Sequence, residues 1–213
     1  MRFYTADLHL NNPGMISWFD RKFSNVYKMN DGLIKAINMR AKTKDDILIH
    51  VGDFCSWGNE KGFQCINVSP KEHLSKINAT VILMEGNHDS HNKVKPAIVG
   101  MNLDLGIDPD LLSLNTNDPT NIKCGFSNLG KVYYNVSIGH YPSNTIQARG
   151  QFQKHSIRIC GHVHKAWKYF YDKENDVLNI NVGCDVWRYS PVREDELINY
   201  IQSVENKLGK KWQ

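Results

Sequence analysis

The sequence predicts an α/β layered domain with a mixed sheet, and three observations carry that expectation. Short apolar runs recur along the chain, helix-like segments separate the early runs, and the later runs follow one another in succession. The third is positional: polar residues cluster where each apolar run stops.

Residues 2–6 (RFYTA) read as a first strand running into Asp7 and His9. Asn30 or Asp31 then caps a helix whose Leu33, Ile34, Ile37 and Ala41 fall on one face, ending near Lys44. Residues 47–51 (ILIHV) form a buried-strand run that breaks at Gly52-Asp53. Ser69-Pro70 opens a second helix, with Pro70 in its first turn and Leu74 and Ile77 on its apolar side. Residues 80–84 (TVILM) break at Glu85-Gly86-Asn87-His88, residues 132–138 (VYYNVSI) at Gly139-His140, and residues 156–160 (SIRIC) at Gly161-His162-Val163-His164. WKYFY and VLNINV flank the turn-like DKEND and read as a β-hairpin. REDE followed by LINYIQSVENKLG reads as a C-terminal helix, acidic in its first turn, basic in its last and stopped by Gly209. The span around 100–130 is rich in Asn, Asp and Pro and reads as a loop or small insertion within one domain covering 1–213. The terminal GKKWQ reads as a frayed, solvated end.

Composition narrows the functional classes. The 26 Lys+Arg and 22 Asp+Glu give a formal charge of +4, without the basic stripe of a nucleic-acid binder. No apolar stretch reaches the ~18 residues of a membrane helix, and MRFYTADLHL turns polar before the apolar core of a signal peptide could form. The five cysteines are scattered, with no CxxC pair, so free thiols and a cytoplasmic location are expected.

Every one of five strand ends carries a metal-ligand or proton-transfer side chain: Asp7/His9, Asp53, Asn87/His88, His140 and His162/His164. A rigid sheet presents such residues to one crevice. D-x-H and H-x-H place both side chains on one side of an extended backbone, to grip one ion or straddle two. Carboxylate and amide oxygens mixed with imidazoles suit Mn²⁺, Fe or Zn²⁺ better than Ca²⁺ or a thiolate-bound zinc. A lone histidine more often belongs to a core, and a lone Gly-Asp to a turn. The ordered set of all five is a different matter and points to a metal site.

That ordered set resembles the calcineurin-like metallophosphoesterase superfamily, whose pattern is D-x-H, G-D, G-N-H-[D/E], H and G-H-x-H. DRKFSNVYKMNDGLI and NVGCDVWRYSPV further resemble its small bacterial and phage branch, with Lys22 standing where that branch carries Pro. The resemblance implies a four-layer α/β/β/α sandwich of two mixed sheets, the metallo-dependent phosphatase fold, with metals at one edge of the sheets. It implies that Asp7, His9, Asp53 and His164 hold one divalent ion and Asp53, Asn87, His140 and His162 a second, Asp53 bridging. Mn²⁺ is the expected ion, with Fe, Zn²⁺ and Ni²⁺ compatible with the same ligands. His88 would face the scissile phosphate as the catalytic acid or transition-state donor, and Asp89 would orient the turn. The implied activity is metal-dependent hydrolysis of a phosphodiester or phosphomonoester, nucleotides included, by a hydroxide activated between two ions. A nuclease and a catalytically silent scaffold on the same fold are the alternatives. Oligomeric state is not legible.

Residues outside these blocks carry weaker expectations. Asn11 to Lys28 contains Trp18, Phe19, Arg21, Lys22, Phe23 and Tyr27. Two readings stay open: a flap whose aromatics stack on a base while Arg21 meets a phosphate, or a surface loop anchored by its aromatics. Arg21 is the substrate-binding candidate. Trp187 either rims the site or packs under the last helix, His50 is read as a core or supporting residue, and Cys55 as a small buried side chain. His73, His91 and His155 are given no role.

Overall fold

The computed structural model describes residues 1–89, 113–114, 122–127 and 133–212, so His91 and most of 100–130 lie outside the described residues. In chain order the elements are β1 (Arg2–Thr5), α1 (Gly14–Trp18), α2 (Val26–Arg40), β2 (Ile47–Val51), β3 (Asn59–Glu60), β4 (Phe63–Gln64), α3 (Pro70–Ser75) and β5 (Thr80–Met84). Then follow β6 (Ser113–Leu114), β7 (Ile122–Ser127), β8 (Tyr133–Ile138), β9 (Ser156–Cys160), β10 (Tyr169–Asp172), β11 (Val177–Asn181), β12 (Val192–Arg193) and α4 (Glu194–Leu208).

Two mixed sheets organise them. A four-stranded sheet runs β12-β1-β2-β5, with β1, β2 and β5 parallel and β12 antiparallel. A six-stranded sheet runs β10-β11-β9-β8-β7-β6, with β8, β9 and β11 parallel and the outer strands antiparallel. Strand alternation sorts the core into two clusters. Phe3, Leu48, Val81 and Leu83 face α2 and α3, meeting Val26, Met29, Leu33 and Ile37 of the first helix and Leu74 of the second. Tyr4, Ile49, Val51, Ile82 and Met84 share the other cluster with Val136, Ile157, Ile159, Leu178 and Ile180 of the six-stranded sheet and with Ile198 and Ile201 of α4. The parallel strands carry their C-terminal ends to one edge. There the end of β1 meets the end of β11, with Ala6 bridging Gly183 and Cys184 N–H donating to Ala6 O at 2.9 Å.

Local structure follows the sequence signals, with four exceptions. Ser69 caps α3 as expected, accepting from Glu72 N–H at 3.1 Å ahead of Pro70. The cap of α2 is Asn25, which accepts from Lys28 N–H at 2.9 Å, so that helix begins earlier than expected and ends at Arg40 rather than near Lys44. Val26 and Met29 extend its buried stripe backwards, and Asn30 is buried there and donates to Asn11 Oδ1 at 3.3 Å. Short α1 and the β3–β4 hairpin had no periodic signal. Within the expected loop, β6 and β7 are strands, β7 pairing with β8 from Ile122↔Ile138 to Ser127↔Tyr133.

The fourth exception is the tail. Beyond Gly209, whose φ of 63° ends α4 in the left-handed region, the chain turns back instead of fraying. Trp212 is 1% exposed, donates its backbone N–H to buried Glu205 at 2.8 Å and meets Tyr171 edge-on at 5.3 Å. Burial of a large ring outweighs the solvation of two neighbouring lysines. Trp212→Ala is therefore expected to cost about 3–5 kcal/mol in a urea titration, where a frayed end would cost nothing. No described helix is long and apolar enough to cross a membrane. Cys55, Cys65, Cys160 and Cys184 are free and buried.

Candidate metal centre

Each of the five motifs lies just past its strand, and the chain kinks there. Asp7, His9, Asp53, His162 and His164 all have φ between 46° and 71°, the left-handed region that non-glycine residues rarely enter. The D-x-H and H-x-H pairs thus converge through left-handed turns, not along the extended backbone the spacing suggested. Pairing across the strand ends holds the turns: Asp7 N–H donates to Gly52 O at 3.1 Å and His9 N–H to Asp53 O at 2.9 Å.

Close approach explains two glycines. Gly52 has φ +86°, and a Cβ there would lie 2.5 Å from His140 Nδ1. A Cβ on Gly86 would lie 2.2 Å from Asp53 Oδ1. Asp89 is wholly buried behind them and accepts from Asp53 N–H (2.6 Å), Phe54 N–H (3.0 Å) and Gly86 N–H (2.9 Å), tying the two loops together.

The side chains converge in three overlapping groups, each with its donor atoms within 4.8 Å of one another: Asp7-His9-His164, His9-Asp53-His88 and Asp53-His140-His162. Asn87 Oδ1 lies 3.1 Å from His140 Nε2 and 3.0 Å from His162 Nδ1. All seven expected ligand residues and His88 are therefore brought together. His162 and His164 fall in different groups, so H-x-H straddles the centre while Asp7 and His9 share a group.

The donor set fits divalent cations. Asp7 and Asp53 are buried 0% and 2% exposed, and His9 Nε2, 3.3 Å from Asp53 Oδ2, is a buried ring nitrogen with no hydrogen bond of good geometry. Burial raises the Asp7 carboxyl; burial opposes ionisation of Asp53 too, but the His140 hydrogen bond together with the charges of His140, His9 and His88 holds it well below the usual carboxylate range. His140 is correspondingly raised, Asp53 outweighing the burial that would lower it. Burial lowers His9 and brings His162 to about 4, keeping both imidazoles in the neutral form that binds metal. Two buried carboxylates facing neutral imidazoles call for positive charge, which a cation supplies by displacing the His140 proton.

His88 stands apart. Its side chain is 30% exposed, its ring meets that of His9 at 4.8 Å, and its Nδ1 lies 3.1 Å from Glu60 Oε2. The Glu60 carboxylate is the main cause of a raised His88, and Asn12 in turn donates to Glu60 at 2.7 Å. Glu60 was not among the expected residues.

Arg21 is corrected outright. It is 2% exposed and cannot meet substrate. Its Nε and one terminal nitrogen form a bidentate pair with Asp185 at 2.9 and 3.0 Å, and it donates to the carbonyls of Leu8 (2.7 Å) and Asp7 (2.6 Å). Asp185 also takes His164 Nδ1 at 2.9 Å, and His164 with Arg21 holds its carboxyl at about 2 against the burial that would raise it. Arg21 and Asp185 therefore orient the first motif and His164 from behind. Arg21→Ala is expected to destabilise the fold by about 3–5 kcal/mol, because it leaves Asp185 buried without its partner. An unchanged denaturation midpoint would refute that role.

His9, Asp53, Asn87, His88, His162 and His164 line a cleft of about 340 Å³ together with Met15, Trp18, Phe19 and Lys61. Phe19 stacks on His164 at 3.7 Å. Trp187 packs edge-on against Tyr200 of α4 at 5.5 Å, away from the rim. His50 is buried in the core, and His73 is buried with Nε2 2.7 Å from Asn11 Oδ1.

Residues 3–166 match the sequence model of the calcineurin-like phosphoesterases. An uncharacterized protein of Methanocaldococcus jannaschii is 33% identical over 84 residues, 39% of this chain and 44% of that protein, so the match spans less than half of that relative. The crystal structure of a protein of unknown function from Aquifex aeolicus superposes with a TM-score of 0.55 at 20% identity, covering 94% of this chain and 99% of the other. That likeness concerns the fold alone.

Proposed function

The chain belongs to the calcineurin-like phosphoesterase family, and from that premise we propose that it hydrolyses a small phosphodiester or phosphomonoester at a dinuclear centre. One observation carries this reading: the three donor groups form a chain, His9 linking Asp7-His9-His164 to His9-Asp53-His88 and Asp53 linking that group to Asp53-His140-His162. Asp7, His9 and His164 with Asp53 would hold one divalent ion. His140, His162 and Asn87 with the same Asp53 would hold the other, the Asp53 carboxylate bridging. Bound there, the ions supply Lewis acidity, acidifying water and neutralising phosphoryl charge.

The remaining steps fall to the protein. Asp89 and Gly86 hold Asp53 in place, and Asp53 Oδ1 accepts from His88 N–H at 2.8 Å, which sets the His88 backbone over the centre. Glu60 anchors His88 Nδ1, leaving Nε2 to donate to the phosphoryl group and to protonate the departing oxygen. Arg21 and Asp185 keep His164 and the Asp7 loop in register.

Mn²⁺ as the native ion, a cytoplasmic location, a single domain over 1–213 and a four-layer α/β/β/α arrangement belong to the same proposal. A metal-reconstituted screen tests it, using bis-p-nitrophenyl phosphate, p-nitrophenyl phosphate, cyclic nucleotides and single-stranded DNA, with Asp53→Asn as the blank. Hydrolysis of small esters is expected. Turnover of DNA alone would favour a nuclease, and full metal content with no turnover a silent scaffold.

A further inference from the structure

Beyond the metal donors, the lining of the cleft forms a wall of different chemistry. Among the described residues its side chains are Met15, Trp18 and Phe19 with one cation, Lys61. Trp18 is held rather than loose. The Phe63 ring meets it edge-on at 5.2 Å, and a Cβ on Gly14 would lie 2.8 Å from its ring carbons, so glycine permits this packing. Phe19 already spends its face on His164. Lys61 reaches over the Trp18 ring from the β3–β4 hairpin, its Nζ 5.5 Å from the ring centroid. The same hairpin carries Glu60 to His88.

We propose that this wall selects nucleoside phosphoesters, with the base lying on Trp18 and Lys61 meeting an anionic oxygen outside the scissile group. The inference rests on the phosphoester-hydrolase reading. Three features carry the substrate class. A fixed indole beside a cation suits a planar aromatic group bearing negative charge. A cleft of about 340 Å³ lies at the small end of ligand pockets, which suits one nucleotide rather than a polymer. Among the described wall residues only Lys61 and the Trp18 indole N–H can hydrogen-bond, both as donors, so stacking with little base discrimination is expected.

The test compares two esters with the same leaving group, thymidine 5′-(p-nitrophenyl phosphate) and methyl p-nitrophenyl phosphate, on the Mn²⁺-reconstituted full chain. The nucleoside ester is expected to have a KM lower by about tenfold or more. Trp18→Ala should erase that ratio and Trp18→Phe should keep most of it. Adding a 3′-phosphate to the nucleoside should lower KM further in the native chain but not in Lys61→Gln. Equal KM values for the two esters in the native chain, or a ratio unmoved by Trp18→Ala, overturns the proposal. A second readout separates it from the hydrolase reading: thymidine 5′-monophosphate should quench fluorescence in the native chain and not in Trp18→Phe. Quenching without turnover of either ester would sink the hydrolase reading and leave the base site standing, whereas no quenching overturns the base site.

Discussion

Asp53→Asn is expected to lower turnover of bis-p-nitrophenyl phosphate by about 10³-fold and to remove at least one equivalent of bound metal. The amide fills the carboxylate's volume and keeps an oxygen to accept from His88 N–H, which Asp53 now does at 2.8 Å. What it loses is the charge shared by two donor groups. Lewis-acid stabilisation of a phosphoryl transfer is worth several kcal/mol, and each 1.4 kcal/mol is tenfold in rate, so roughly 4 kcal/mol gives the stated loss. Stability should fall as well, though less steeply. Asp53 is held ionised by the hydrogen bond and charge of His140, and that pairing outweighs the repulsion it exerts on Asp7. Removing the charge leaves His140 buried without its carboxylate partner, so the metal-free protein should melt at a lower temperature while still folding. The combination is diagnostic: a folded chain, depleted of metal and inactive. Retention of full metal content together with activity would show that Asp53 does not bridge.

The strand-end ligands were readable because each is a polar interruption of an apolar run, and such interruptions coincide with the edge of a sheet. Asp7, Asp53, His140 and His162 lie where the sequence put them for that reason. Glu60 and Asp185 were not readable. Each is a single acidic residue in a segment without periodicity, and its meaning comes from a partner 28 or 21 positions away in sequence, His88 or His164. Arg21 was misread on the same ground. A basic residue between aromatics suggests phosphate binding, and only the tertiary fold shows its donors taken up by Asp185 and two backbone carbonyls. The run IKCGFS did carry a signal, since Ile122, Cys124 and Phe126 alternate with Lys123, Gly125 and Ser127. The Asn- and Asp-rich residues before it obscured that alternation. A lone Trp in a basic tail was a comparable clue that Trp212 had a place in the core.

His88→Ala is the second large effect, with kcat expected to fall by about 10²–10⁴-fold, the usual span for a general acid. Rate loss alone does not assign the role, because carboxylate-paired histidines also stand behind metals as ligands, and His88 does share a donor group with His9 and Asp53. Two further measurements separate the cases. Metal content should stay at the native level in His88→Ala, since the seven other donors are untouched; its loss would make His88 a ligand. The deficit should also depend on the leaving group. An alkyl ester, whose departing oxygen needs a proton, should lose far more than a p-nitrophenyl ester, whose oxygen leaves as a stable anion. Glu60→Gln then tests the anchor. It leaves the imidazole in place but removes the carboxylate held 3.1 Å from Nδ1, so it should reproduce the leaving-group dependence at a smaller size, about 10–100-fold on the alkyl ester. If Glu60→Gln slowed both esters equally, the pair would be holding the hairpin in place and not the proton.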